Sequence, residues 1–513
     1  MPRLPTDPPV RLLYRSLAGG LLAALVLAGA PASAAPQADE LAAKAEQGRE
    51  AMAAGRFDEA AALYAAVVRA LPNEAGMRMN LGLALSMAGR PKEAVPHLQA
   101  ALKLQPDLLP ASLFLGSAYV ELGQPAKAAP PLRKFVSAQP DHREARRMLA
   151  DAELSLERFE AAARDYRALA EQDPQDPRAW YGLGRCYEGL SGRAFEALQQ
   201  ATPDSAYLSL LVAEAMVAQE RDKSAFPLYR EAIAKRTGVA DAHEALARIY
   251  ERSGHADWAA VEREKAKSVP SPDCRTPALE CEFRAGRYAK VVEMARPLGR
   301  PASRYWTSRA AGELAREAFA RLHALPPSPE ASLVRVETLR AQRRYAQSKG
   351  ELQKAAASWP DDRRIRRELA SLLFIAKEQA EARPLLEDLL KQEPDAADLN
   401  LLLGESWLES KEPTKAVSFL EKAVSADPKL LRARGVLGRA YVEAGRAAPA
   451  IPHLEAALPT DEDGSLHFQL ARAYRETGQA EAATRTLQAF QEARRANEAH
   501  QQADKEEFAI TPP

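Results

Sequence analysis

Cysteine is nearly absent from this chain, with three residues in 513, and the eight histidines are scattered. No cysteine or carboxylate cluster with metal-ligand spacing accompanies them, so a structural metal centre has no sequence basis. Net charge is absent too: 70 Lys and Arg balance 70 Asp and Glu. No overall field therefore draws the chain to nucleic acid or anionic lipid. Phosphate cradles of the G-x-x-x-x-G-K-[ST] or strand-to-helix G-x-G-x-x-G type are missing, as is a G-x-S-x-G elbow. His243-Glu244 opens like a zinc-protease motif, but Ala247 stands where its second histidine belongs. These absences point away from an enzyme and imply no cofactor. Sustained period-2 alternation is lacking and aromatics are only 6%, which leaves an all-α composition.

What is present is a period. Pro72, Pro106, Pro140 and Pro174 recur every 34 residues, and Pro360, Pro394 and Pro428 keep the same interval. Such a period means stacked copies of one supersecondary unit. When each unit is numbered so that its proline is position 32, other residues fall into register. Gly48, Gly82, Gly116, Gly404 and Gly438 share position 8, and Gly55, Gly89, Gly123 and Gly445 share position 15. Alanine recurs at position 20 (Ala60, Ala94, Ala128, Ala162, Ala382, Ala416, Ala450), and Tyr64, Leu98, Leu132, Tyr166, Leu386, Leu420 and Leu454 fill position 24. Small residues at 8 and 20 let two helices approach closely. Glycine at 15 suits a left-handed turn between them. Proline at 32 stops the second helix, and the Asp or Asn after it (Asn73, Asp107, Asp141, Asp395) is expected to cap the next.

This pattern resembles the tetratricopeptide repeat, with clear units starting near Leu41, Ala75, Leu109, Arg143, Arg363, Ala397 and Leu431. The resemblance implies a right-handed α-solenoid superhelix of about 12–14 helix-turn-helix hairpins. The expected organisation is a signal peptide (1–34), a regular repeat block (35–175), a degenerate middle (176–328), a second regular block with a capping helix (329–496) and a disordered tail (497–513). The fifth unit, from Pro177, is expected to carry a second helix shortened to about Arg193–Thr202.

Arg3, Arg11 and Arg15 precede an apolar run, Leu17–Ala30, and then Pro31 and Ala32-Ser33-Ala34. That order describes a secretory signal cut after Ala34. The run has 14 residues, short of the roughly 20 that span a bilayer core. The mature chain is therefore expected in the periplasm of a bacterium, or secreted, with no stable membrane span. An uncleaved inner-membrane anchor is the alternative. In an oxidising compartment Cys274 and Cys281 either form a disulfide across a Pro-containing bend or remain two buried thiols; Cys186 is expected in the core.

The resemblance also implies that first-helix positions 2, 5, 9, 12 and 13 face a concave groove. There Met79, Leu83, Met87, Leu113 and Ser117 would form an apolar floor. Arg147, Arg178, Tyr181 and Arg185, and later Arg432, Arg439, Phe468, Arg472 and Arg475, would line the groove for an extended peptide or its carboxylate. Lys and Asn of the carboxylate-clamp type are replaced by Ala45, Arg49, Met79, Leu83, Leu113 and Ser117, which argues against that adaptor class. The expected function is a non-catalytic exported scaffold that binds a protein or peptide, and not nucleic acid, in an envelope assembly or export system. The alternatives are a repeat-bearing enzyme or accessory of a glycosyltransferase or polysaccharide system, and a self-assembling structural solenoid. A polar final helix favours a monomer or weak homodimer.

Overall fold

A computed structural model describes residues 35–236, 240–270, 272, 274, 278–296, 299–461, 463–505 and 510–513. The expected signal peptide falls outside the described residues. Among the described residues there is no strand, and the chain is an all-α repeat solenoid. Four regular hairpins come first: α1 (Ala35–Ala53) with α2 (Phe57–Ala70), α3 (Ala75–Met87) with α4 (Pro91–Leu104), α5 (Leu109–Glu121) with α6 (Pro125–Ala138), and α7 (Arg143–Ser155) with α8 (Phe159–Gln172). The middle holds α9 (Pro177–Ala201), α10 (Ala206–Ala218), α11 (Asp222–Lys235), α12 (Ala240–Arg252), α13 (Ala256–Ser268), α14 (Leu279–Arg284), α15 (Tyr288–Ala295) and α16 (Pro301–His323). Regular pairs then resume: α17 (Pro329–Ala341) with α18 (Tyr345–Ser358), α19 (Arg363–Ile375) with α20 (Gln379–Gln392), α21 (Ala397–Glu409) with α22 (Pro413–Ala426), α23 (Leu431–Glu443) with α24 (Ala447–Ala457), and α25 (Ser465–Glu476) with α26 (Ala480–Lys505). Two compact units result: Met1–Leu211 with Ser271–Ala331, and Val212–Pro270 with Ser332–Pro513.

The hairpin is held by contacts that its 34-residue frame dictates. A Cβ on Gly82 would lie 2.5 Å from Leu98, one on Gly116 2.5 Å from Leu132, and one on Gly438 2.5 Å from Leu454. Position 8 is thus the seat into which the side chain at position 24 sinks, and only a small residue leaves room. Where a turn forms at position 15 of the regular hairpins, it is left-handed. Gly55, Gly89, Gly123 and Gly445 have φ between 62° and 76°, and Glu157, Glu220, Arg343, Lys377 and Lys411 take the same conformation with φ of 56–62°. Those five side chains bear the strain that glycine avoids.

Between hairpins the proline occupies the second position of a turn. The N–H of position 34 donates to the carbonyl of position 31, as from Leu108 to Gln105 and from His142 to Gln139, both 3.2 Å. Proline's fixed φ suits that place, and the residue before it is driven out of the helical region. The capping expectation shifts by one residue in consequence. Asn73, Asp107, Asp141 and Asp395 lie inside the turn, and the N-caps are Glu74, Leu108, His142 and Ala396, of which only the His142 side chain accepts a hydrogen bond. Position 4 of the following helix compensates by donating to the proline carbonyl. Arg78 reaches Pro72 O (2.6 Å), Trp180 reaches Pro174 O (2.9 Å) and Arg434 reaches Pro428 O (2.8 Å).

The fifth repeat departs from expectation. No turn interrupts α9, which runs unbroken for 25 residues through Ser191 and Gly192. Positions 20 and 24 of this unit are Glu196 and Gln200, and neither can pack into a small-residue seat. The seat is filled from elsewhere: a Cβ on Gly184 would lie 2.3 Å from Phe319 of α16. Ala311, Ala315 and Ala318 join Leu183, Tyr187 and Leu190 in one core, and Ser191 and Ser308 exchange hydroxyl-to-carbonyl hydrogen bonds of 2.9 and 3.1 Å. Ala315, Phe319 and Pro327 have the spacing of positions 20, 24 and 32. The second helix of repeat five is therefore α16, with α10–α15 inserted between the two halves. That spacing was the available sequence signal. Within the insertion, Cys274 and Cys281 are joined as a disulfide with Cα atoms 5.7 Å apart, which ties the segment before the short α14–α15 hairpin to α14 itself.

Two sets of variants test these contacts by urea midpoint. Lys377→Gly and Lys411→Gly each raise stability by up to about 1 kcal/mol through relief of the left-handed strain. Gly82→Leu and Gly184→Leu both lower it, by about 1–3 kcal/mol through overpacking. A neutral Gly184→Leu would disprove the split repeat, because the nearest atoms to a side chain there belong to Phe319.

Candidate functional site

The first-helix positions expected to line a groove divide into packed, neutralised and open sets. Met79, Leu83, Met87, Leu113 and Ser117 are all buried in the core of the first four hairpins. The expected open apolar floor is thus a correction: large side chains at positions 5, 9 and 13 of neighbouring first helices pack against one another and hold the hairpins in line.

Arg147 on α7 is mostly buried, with Nη2 2.5 Å from Asp176 Oδ2 and Nη1 3.5 Å from Glu144. Asp176 also caps α9 and receives Arg143 at 3.4 Å. On α9, Arg178, Tyr181 and Arg185 follow at helical spacing and share one face. Arg178 Nε lies 3.9 Å from Glu330, and Arg185 pairs with Glu188 at 2.8 Å. Asp151 belongs to the same face. It is partly exposed as a residue, but its Oδ1 turns inward to accept from the Tyr166 hydroxyl. Burial pushes its carboxyl up to about 6, against the opposing pull of Tyr166, Arg147 and Arg178.

In the second unit the arginines are again largely matched. The arginines at the start of α19 form a charged face with acidic neighbours. Arg367 holds Asp398 through two bonds of 2.7 and 2.9 Å, Arg366 pairs with Asp388, and Arg364 turns back on its own cap, Asp362, at 2.7 Å. Arg432 grips Glu405 with bonds of 2.7–3.2 Å, burial raising that carboxyl and Arg432 lowering it. Arg439 stands 3.5 Å from Glu443 and Arg472 2.8 Å from Glu476. The open set lies on α25. Phe468 is 46% exposed, its ring 5.6 Å from Phe490, and Arg475 is exposed and makes no ion pair among the described residues. Phe468, Arg472 and Arg475, at positions 5, 9 and 12, form one row on that helix.

His97 and His453 are half-buried at position 23, their pKa values lowered by burial and then by Arg78 and Arg434. Cys186 is fully buried, and burial pushes its thiol up, which disfavours the nucleophilic thiolate. Among the described residues no three His, Cys, Asp or Glu side chains gather as a metal site, and no helix is long and apolar enough to cross a membrane.

Asp151 gives the face a pH dependence. Its unfolded carboxyl titrates near about 4, and the folded one keeps its proton to about 6. Between those values the folded state binds more protons, so stability falls as pH rises through the window. Urea midpoints of the wild-type chain fall across it relative to those of Asp151→Asn, which cannot titrate; parallel profiles would refute the raised carboxyl.

Two sequence profiles, both described as tetratricopeptide repeat, match residues 45–108, 114–177, 148–193, 333–387 and 380–430, and residues 407–466. No curated protein matches the sequence significantly. Similar solved structures include a tetratricopeptide repeat protein from Parabacteroides merdae (19% identity over 46% of this chain and 95% of that one, TM-score 0.28). Another is the APC/C hetero-tetramer Cut9-Hcn1 (12% identity, 90% and 95% covered, TM-score 0.32). A third is YrrB, described as a repeat protein with an unusual peptide-binding site (19%, 42% and 98%, TM-score 0.28). With profile matches over more than half of its length and the hairpin geometry described above, the chain belongs to the tetratricopeptide repeat family, a class of protein–protein interaction scaffolds.

Proposed function

We propose that the chain is a non-catalytic, exported scaffold that captures an extended anionic segment of a partner protein within an envelope assembly or export system. The observation that carries the binding mode is the row on α25, where an aromatic ring 46% exposed stands beside Arg472 and Arg475. An exposed aromatic next to guanidinium groups matches a peptide that offers both an apolar side chain and a carboxylate. Arg432 and Arg439 on α23 extend the positive row, although Glu405 and Glu443 partly offset them. A preformed helical surface loses little entropy on binding, so a few such anchors suffice. Export rests on the basic, apolar and small-residue succession ahead of Ala35.

Affinity capture from native envelope extract tests both parts. Partner yield falls at least about tenfold with Arg475→Glu combined with Phe468→Ala, the size of effect expected for anchor residues, while the helical circular-dichroism signal is unchanged. Equal yield from variant and wild type removes this row as the binding site. Mature protein recovered outside the cytoplasm begins at Ala35; a chain recovered with Met1 intact contradicts cleavage.

A further inference from the structure

At several junctions a second helix meets the next first helix through a recurring rung, in which position 25 bonds to position 11 of the following hairpin. Gln99 Nε2 donates to the Tyr119 hydroxyl at 2.8 Å, and Arg167 Nη2 donates to that of Tyr187 at 2.5 Å. Tyr441 donates to Glu421 at 2.6 Å and Tyr474 to Glu455 at 2.5 Å. Arg230 of α11 and Tyr250 of α12 occupy the same two positions. There the rung is bridged by a third residue, Thr511. Arg230 Nη1 donates to its Oγ1 at 2.5 Å, and the Tyr250 hydroxyl donates to its carbonyl oxygen at 2.7 Å.

We infer that the Arg230–Tyr250 rung is a binding site for an extended, proline-containing peptide, and that the chain's own C-terminal segment, Ile510–Pro513, occupies it in cis. Three features of the site support this. Tyr250 is buried with the segment in place, and its hydroxyl has the Thr511 carbonyl as acceptor. Arginine can only donate, so Arg230 cannot supply that acceptor, and a ligand carrying both a carbonyl and a hydroxyl oxygen satisfies the two donors together. The surroundings are aromatic: Phe226 and Trp258 each meet the Tyr250 ring edge-on at 5.6 Å, and His255 stacks on Trp258 at 3.9 Å.

The occupant fits for matching reasons. Thr511 and Pro512 both precede proline, which holds them in the extended region before any contact is made. Such a segment loses little freedom on docking against aromatic side chains. All of these residues lie in the second unit. The site is distinct from the row on α25, because it uses position 25 of a second helix and position 11 of a first helix.

The test uses full-length chains and a labelled synthetic peptide of residues 504–513, read by fluorescence anisotropy. In the wild type, a tethered tail presents an effective concentration on the order of millimolar, so the free peptide binds weakly. Thr511→Lys in the protein sets a cation against Arg230 and frees the site, and the peptide then binds at least tenfold more tightly. Adding Tyr250→Phe to that chain removes one hydroxyl without changing the packing, and binding falls at least fivefold. A peptide with Val in place of Thr511 also binds more weakly to the freed site. Absence of peptide binding to the Thr511→Lys chain overturns the proposal. So does equal binding to that chain and wild type, or indifference to Tyr250→Phe.

Discussion

The structure depends on one steric relation, the descent of the side chain at position 24 onto a residue at position 8 with little or no side chain. Leu98 on Gly82, Leu132 on Gly116, Leu420 on Gly404 and Leu454 on Gly438 are the same contact repeated. It sets the spacing of the two helices in a hairpin, and the proline turn and the position-4 donor then fix how one hairpin hands over to the next. The fifth repeat shows how strong the requirement is. Where the local sequence offers Glu196 and Gln200, the chain does not build a poor hairpin; it lets α9 run on and recruits Phe319 from α16.

Much of this was legible in the sequence because the decisive contacts lie within one 34-residue frame. Gly82 and Leu98, or Gly404 and Leu420, identify themselves by register alone. The split repeat was not legible in the same way, since a period search looks for positions 20 and 24 directly after position 8. Ala315, Phe319 and Pro327 carried the correct spacing but stood alone, without a first helix beside them. The caps were misplaced by one residue because proline at 32 draws the following Asp or Asn into the turn, a matter of backbone geometry and not of residue preference.

At the candidate site the residue types were readable but their state was not. Arg147 and Arg432 look available in sequence, yet Asp176 and Glu405 hold them from neighbouring hairpins 29 and 27 residues away. Pairing across that distance is invisible to reasoning that stays on one helix face. Because desolvation offsets much of the attraction in such partly buried pairs, they bear more on which arginines remain open than on stability. The apolar floor failed for a related reason. A run of Met and Leu at first-helix positions reads equally as a ligand surface or as packing between adjacent first helices, and burial decides for the latter.

The interrupted repeat has a consequence for how the polypeptide is made. As the chain emerges in order, α9 is complete long before its mate, and its Leu183, Tyr187 and Leu190 side chains wait in water until α16 arrives. Closing that loop of roughly a hundred residues is slower than closing an ordinary hairpin. The first four hairpins can assemble as each is delivered, whereas the fifth must stay half-built through the whole intervening passage. The N-terminal array therefore acquires its last layer late, and until then the apolar face that α9 keeps for α16 stays uncovered.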